Sequence, residues 1–168
     1  MSLPAPPLHV LFLCTYNSAR SILAEAVLNH IGKGRFKASS AGSSPRENQQ
    51  PHPLGLQALV AAGMPTADLR SKSWDEFATP QAPRMDLVIT VCDDAAGEAC
   101  PHLTGQPATA HWSYADPSAT PGSDAQKKEA FRQTLLALHR RLALLVSLPP
   151  EKLERTMLQG TARGLTGS

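Results

Sequence analysis

In the stretch HVLFLCTYNSARSILAEAVLNHI, residues 9–31, a nearly continuous apolar run ends at a cysteine and gives way to a helical pattern. Apolar residues at 8–13 without alternation predict a strand buried on both faces of a parallel sheet. Ile22, Leu23, Ala26, Val27 and Ile31 then recur at spacings of three and four, which predicts a helix over 19–31 that Gly32 and Gly34 stop. Cys14 therefore falls at the carboxyl end of a strand, in the loop that enters a helix. That is where open α/β sheets place their chemistry.

Working outward, RFKASSAG (35–42) is a second candidate strand and SSPRENQQPH an exposed loop. A helix is expected from Pro53, a residue suited to a first turn, through Leu54, Ala58, Leu59 and Ala62 to a stop at Gly63. SKSWDEF is expected to open a short helix before Pro80 and Pro83. Residues 85–91 (MDLVITV) form the clearest further strand, and ATAHW (108–112) the last. The longest helix opens with Ser123 and Gln126 spaced as a capping box, carries Phe131, Leu135, Leu138, Leu142 and Leu145 on one stripe, and ends before Pro149 and Pro150. The alternation implies an α/β fold: an open four-stranded parallel sheet with helices on both faces. The expected organisation is an extension over 1–7, one domain over 8–148 and a mobile tail over 149–168.

The 168 residues are 42% hydrophobic, enough for one domain with a proper core, and 16 basic against 14 acidic residues give a net charge of +2 without runs of like charge. Neither a nucleic-acid nor a membrane partner is indicated. The start of the chain carries no basic segment, and the apolar run is too short for a signal core or a membrane span, so a cytoplasmic protein is expected. Three cysteines cannot all pair, and in a reducing compartment each thiol needs its own explanation.

Loop amides and a helix N-terminus behind Cys14 make an anion site, and the same positive field stabilises a thiolate, the nucleophilic form of cysteine. Arg20, six positions on, offers a planar fork of donors for two oxygens of a tetrahedral oxyanion. Ser21 adds a hydroxyl able to hydrogen-bond the thiolate. Such an arrangement suits attack on phosphate or its analogues. A lone cysteine at a strand end is more often a small core residue, but the strand-loop-helix context favours the nucleophile. The glycines and lysine of a nucleotide P-loop are missing.

VLFLCTYNSARS, with SSAGSSP after it and an Asp-Pro pair late in the chain, resembles the low-molecular-weight tyrosine phosphatase family. Cys92 and Cys100 in VITVCDDAAGEACP, with ATAHWSYADPSA, are similar to the thiol-dependent arsenate reductases within it. The resemblance implies a loop of Thr15, Tyr16, Asn17, Ser18, Ala19, Arg20 and Ser21 around the oxyanion. Cys14 would be the nucleophile, Asn17 would shape the loop through a left-handed backbone, and Arg20 would bind the anion. Asp116, ahead of Pro117, would protonate the departing oxygen, although Asp-Pro is also a common turn. Phosphatases of the family usually have glycine where Tyr16 stands, which argues against a bulky aryl phosphate substrate.

The resemblance further implies a relay: Cys14 attacks arsenate, Cys92 attacks Cys14 and expels arsenite, and the disulfide passes to Cys92 and Cys100. If that segment is helical in the reduced enzyme, two turns, roughly 12 Å, would separate the last pair against a limit of roughly 7 Å between α-carbons, and it would have to unwind or loop out. The expected activity is arsenate reduction by a monomer with no bound cofactor, phosphate or sulfate competing. An external thiol reductant would recycle it: thioredoxin, with a glutathione and glutaredoxin route open. The rivals are a tyrosine phosphatase using Cys14 and Asp116 alone, and a non-catalytic oxyanion or redox-sensing module. The six histidines show no metal-ligand spacing, so no metal is assigned. His111 and Trp112 read as packing, and Arg46 and Lys72 as charges that could add positive field but are more often solvated surface.

Overall fold

The computed structural model describes residues 7–91 and 108–149. β1 (Leu8–Cys14) lies inside a four-stranded sheet with β2 (Phe36–Gly42) on one side and β3 (Leu87–Thr90), then β4 (Ala108–His111), on the other, all pairs parallel. The order β2-β1-β3-β4 makes the chain leave β1 one way and return on its other side. The carboxyl end of β1 is thus a topological switch point, where open sheets leave a crevice.

Side chains of β1 alternate between two cores. Val10, Phe12 and Cys14 pack with α1 (Arg20–Ile31), α2 (Pro53–Ala61) and α3 (Asp124–Ser147), while Leu11 and Leu13 meet Ala41, Phe77, Met85 and Val88 on the opposite face. Burial on both faces is the physical reason the run is continuously apolar, and each fully buried Leu or Phe contributes about 1.5–3 kcal/mol. β2, on an edge, instead exposes Lys37 between buried Phe36 and Ala38.

Helix boundaries follow the predicted signals. His52 caps α2 with Pro53 in the first turn, and Gly63 just beyond its end has φ +78°. Ser123 and Gln126 form the reciprocal capping box of α3, and the stripe from Phe131 to Leu145 is buried throughout. Arg35 donates to the carbonyls of Val146 and Leu148, satisfying acceptors that the end of α3 leaves open. SKSWDEF forms one 3₁₀ turn, Trp74–Phe77, capped by Ser73. β3 is regular over four residues, and backbone bonds from the Asp86 amide to His9 O and from the Val91 amide to Leu13 O carry its pairing with β1 to either side, while the Asp86 carboxylate accepts the His9 amide.

Of the expected extension over 1–7 and tail over 149–168 all but Pro7 and Pro149 lie outside the described residues, as does the Cys92 to Cys100 segment. Among the described residues no helix is long and apolar enough to cross a membrane.

Candidate active site

Residues 15–19 join β1 to α1 as a loop strapped to the end of β2. The amide of Ser43 donates to Cys14 O (3.0 Å) and that of Ser44 to Thr15 O (2.8 Å). Gly42 is required for that approach: a Cβ there would lie 2.7 Å from Thr15 O. Asn17, at φ 56°, is the one loop residue in the left-handed region, as its type allows.

Asn17 is fully buried and every polar atom of its side chain is used. Its Nδ2 donates to Ser21 Oγ (2.8 Å) and Ser40 Oγ (3.0 Å), and its Oδ1 accepts the Lys72 amide (2.9 Å). Because Ser21 Oγ receives the Asn17 proton, its own proton is free to point at Cys14 Sγ, 2.8 Å away. Ser40 in the same way accepts from Asn17 and donates to the Glu25 carboxylate (2.5 Å). A continuous set of hydrogen bonds thus links Glu25 to the sulfur through Asn17, whose amide polarises the Ser21 hydroxyl toward Cys14.

Glu25 and Lys72 anchor its far end as a buried pair, Oε1 to Nζ 3.9 Å. Burial pushes Glu25 above the usual carboxylate range, with Ser40 and Lys72 pulling it back. Burial likewise pushes Lys72 below the usual ammonium range, against the pull of Glu25. Lys72 also donates to the Ser40 and Arg70 carbonyls. The expectation of a solvated surface charge therefore fails for Lys72: folding the 70–73 segment against β2 takes its side chain out of water.

The loop opens into a cavity of about 370 Å³ lined by Cys14, Tyr16, Ser18, Ala19, Arg20, Arg46, Gln49, His52, Asp116 and Ser118. Cys14 is otherwise 3% exposed, so reactants reach its sulfur from this side. Arg20 leads α1; its Nη1 donates to Tyr114 O (2.9 Å), which aims the fork, and its Nη2 lies 3.8 Å from Asp116 Oδ2. Asp116 Oδ1 accepts from the Ser118 amide (2.9 Å) and hydroxyl (2.7 Å), holding the carboxyl on the 3₁₀ turn Pro117–Ala119. His52 is tied to the loop through its amide, which donates to Ser18 O (2.9 Å). Its Nδ1 accepts the Leu54 amide and its ring lies 4.7 Å from that of Phe131. Burial lowers its pKa from the ordinary 6.5, partly offset by Asp116, so the ring is neutral near pH 7 with its proton on Nε2.

The structure thus gathers Cys14, the loop to Ser21, and Asp116, 96 positions beyond Arg20. Cys92 and Cys100 lie outside the described residues. Sequence reasoning missed Glu25, Ser40, Gln49 and His52. A signal existed for Glu25, which stands four positions after Ser21 and shares its helix face among buried apolar neighbours; nothing local marked the others. Trp112 is fully buried, as expected of packing, and His111 Nδ1 meets Thr90 Oγ1 at 2.7 Å. No group of three or more His, Cys, Asp or Glu able to hold a metal occurs among the described residues.

A cysteine at the carboxyl end of a strand, the loop that carries it into a helix and an arginine at the head of that helix, all lining one cavity, define a class of enzymes that attack tetrahedral oxyanions. The family model for low molecular weight phosphotyrosine protein phosphatase matches residues 9–157, and the chain belongs to that family. Within it the chain is 31% identical over 124 residues to an arsenate reductase of Halalkalibacterium halodurans, covering 74% of this chain and 84% of the relative. The solved arsenate reductase of Archaeoglobus fulgidus superposes with a TM-score of 0.60 at 27% identity, over 83% of this chain and 99% of that one. A thioredoxin-dependent arsenate reductase of Corynebacterium glutamicum superposes with a TM-score of 0.55 at 25% identity, over 84% of this chain and 65% of that one.

Proposed function

We infer that this protein is an arsenate reductase. The observation that carries the reading is the likeness over 124 residues to an arsenate reductase, joined to a site whose cysteine, loop and arginine suit a small tetrahedral oxyanion. Cys14, as thiolate, attacks arsenic while Arg20 and the amides of residues 15–20 hold the oxygens. Asp116, beside Arg20, delivers the proton with which an oxygen leaves as water. Ser21 stabilises the sulfur anion before attack and whenever Cys14 is released.

Reduction needs two electrons, and two thiols becoming a disulfide supply them. Cys92 attacks the Cys14 sulfur, forming an S–S bond as the arsenic departs with the electron pair of the S–As bond as arsenite. Cys100 then attacks Cys92, freeing Cys14. The sum is arsenate and two thiols giving arsenite, a disulfide and water. Thioredoxin recycles the disulfide; support comes from the thioredoxin-dependent neighbour. The chain acts as a monomer in a reducing cytoplasm and needs no bound cofactor.

The test is a count of free thiols in reduced, desalted protein before and after arsenate, without external thiol and with phosphate as control. Loss of two thiols per chain with one arsenite released is expected. Thiols unchanged while an aryl phosphate is cleaved would make the protein a phosphatase; neither reaction would leave an oxyanion-binding or redox-sensing module.

A further inference from the structure

The outer wall of the cavity carries a cation that the steps above leave unused. The Arg46 guanidinium lies 4.6 Å from the centroid of the Tyr16 ring, and both residues line the cavity that contains Cys14. A tight turn sets its position: the Gln49 amide donates to Arg46 O (3.0 Å), with Asn48 at φ 60° in the left-handed position such a turn requires. The Tyr16 ring, 39% exposed, projects from the oxyanion loop itself. The platform and the cation thus come from two different loops, and the ring face orients the guanidinium. Among the described residues no carboxylate pairs with Arg46.

Charge balance shows what this cation is for. A reactive complex holds a Cys14 thiolate and an oxyanion side by side, with the Asp116 carboxyl 3.8 Å from Arg20. Arg20 also spends one arm on Tyr114 O. One guanidinium so committed leaves the complex net negative, and like charges at close range in a partly dry cleft repel strongly. Arg46 is the other guanidinium bordering the cavity, and its planar donors match a tetrahedral anion.

We propose that Arg46, seated on the Tyr16 ring, is the second cation of the oxyanion site, and that this pair sets the affinity for small inorganic tetrahedral anions. The proposal rests on the reading of the Cys14 loop as an oxyanion site, but not on arsenate being reduced there. Tyr16 then has a positive role: where glycine would leave the rim open, the ring mounts a charge over it.

The experiment uses the reduced full-length chain and inorganic phosphate as probe, reading protection of Cys14 from iodoacetamide by peptide mass mapping. Arg46→Ala should raise the phosphate concentration for half-protection roughly tenfold, the effect of losing one charge-assisted contact. KM for arsenate should rise by the same factor with kcat within about twofold. Tyr16→Ala should match it, the double variant should be no worse than either single one, and Arg46→Lys should recover part of the loss. Lys33→Ala removes an equal charge at the amino-terminal end of the sheet and should change nothing. Unchanged protection in Arg46→Ala and Arg46→Lys, or an equal shift in Lys33→Ala, would overturn the proposal. A wild-type chain that leaves arsenate unreduced, yet loses phosphate protection on Arg46→Ala, would defeat the reductase reading and uphold this one.

Discussion

Ser21 Oγ stands 2.8 Å from Cys14 Sγ, and because the same oxygen accepts a proton from Asn17 Nδ2, the serine is the donor to sulfur. The first turn of α1 therefore does more than lend a helix terminus: it places a hydroxyl, itself polarised, on the nucleophile. Ser21→Ala should fold with a stability loss of about 1–3 kcal/mol, because it leaves a buried Asn17 N–H without its acceptor, and it leaves the thiolate without its donor. Turnover is expected to fall roughly ten- to a hundredfold, the equivalent of about 1.5–3 kcal/mol for a hydrogen bond to a charged group. Alkylation of Cys14 at pH 7 should slow in parallel; an unchanged rate would show that the loop amides suffice.

Asp116 lies 3.8 Å from Arg20, placed to donate a proton to an oxygen that Arg20 holds. Asp116→Asn removes the acid while its amide oxygen can still accept from Ser118. KM for arsenate should change little, because the arginine clamp is kept. The rate constant kcat should fall by about 10²- to 10⁴-fold, the usual worth of a positioned acid. Steady-state kinetics decide the point, since a turn residue alone would leave kcat untouched.

The buried Glu25 and Lys72 pair makes stability pH-dependent with a definite sign. Burial raises the folded pKa of Glu25 above 4.5, so its favourable contribution belongs to the protonated form, complete below that value and lost as pH climbs through the folded pKa. Lys72→Met removes the compensating charge and moves that loss to higher pH. The variant should be less stable at pH 7.5 by about 3 kcal/mol, as expected when a buried pair is broken, and should recover part of the deficit at pH 5.5. Urea unfolding at the two pH values measures this; an equal deficit at both would mean that Glu25 stays charged without its partner.

His52 titrates with the opposite sense. Its folded pKa lies below 6.5, chiefly through burial, so the stabilising contribution is present above that value and is lost as pH falls through the folded pKa. Protonation of Nδ1 also ends its bond from the Leu54 amide. His9 shifts the same way, through burial and Lys37. His52→Asn keeps a good cap for α2 and should flatten part of the stability loss below pH 6.5; His9→Gln in addition should flatten the remainder. Melting temperatures from pH 7.5 to 5 test both steps.

The fold and the centre of the site were legible because their signals are local. An apolar run buried on both faces, a helical stripe, a capping box at Ser123 and a cysteine followed by arginine six positions on each lie within one or two adjoining elements. Asp116 was found by its order in the chain and its proline, not by any pattern that places it beside Arg20.

What the sequence by itself determined was the parallel sheet, the place of Cys14 at the carboxyl end of a strand and the identity of the loop, since periodicity and turn chemistry act over a few residues; the strand order that makes this end a switch point came from the tertiary structure. Only the tertiary structure decided which polar residues share the interior. Lys72 reads as a solvated charge, and nothing in the sequence joins it to Glu25 and Ser40 until β2 and the 70–73 segment close over α1 and strip their water. Arg46 joins the cavity through the tight turn at 46–49, and His52 through its amide bond to Ser18 O at the start of α2. The reason is that burial and proximity between distant segments depend on how whole elements pack, and desolvation, which sets the charge behaviour of these groups, exists only after that packing is complete.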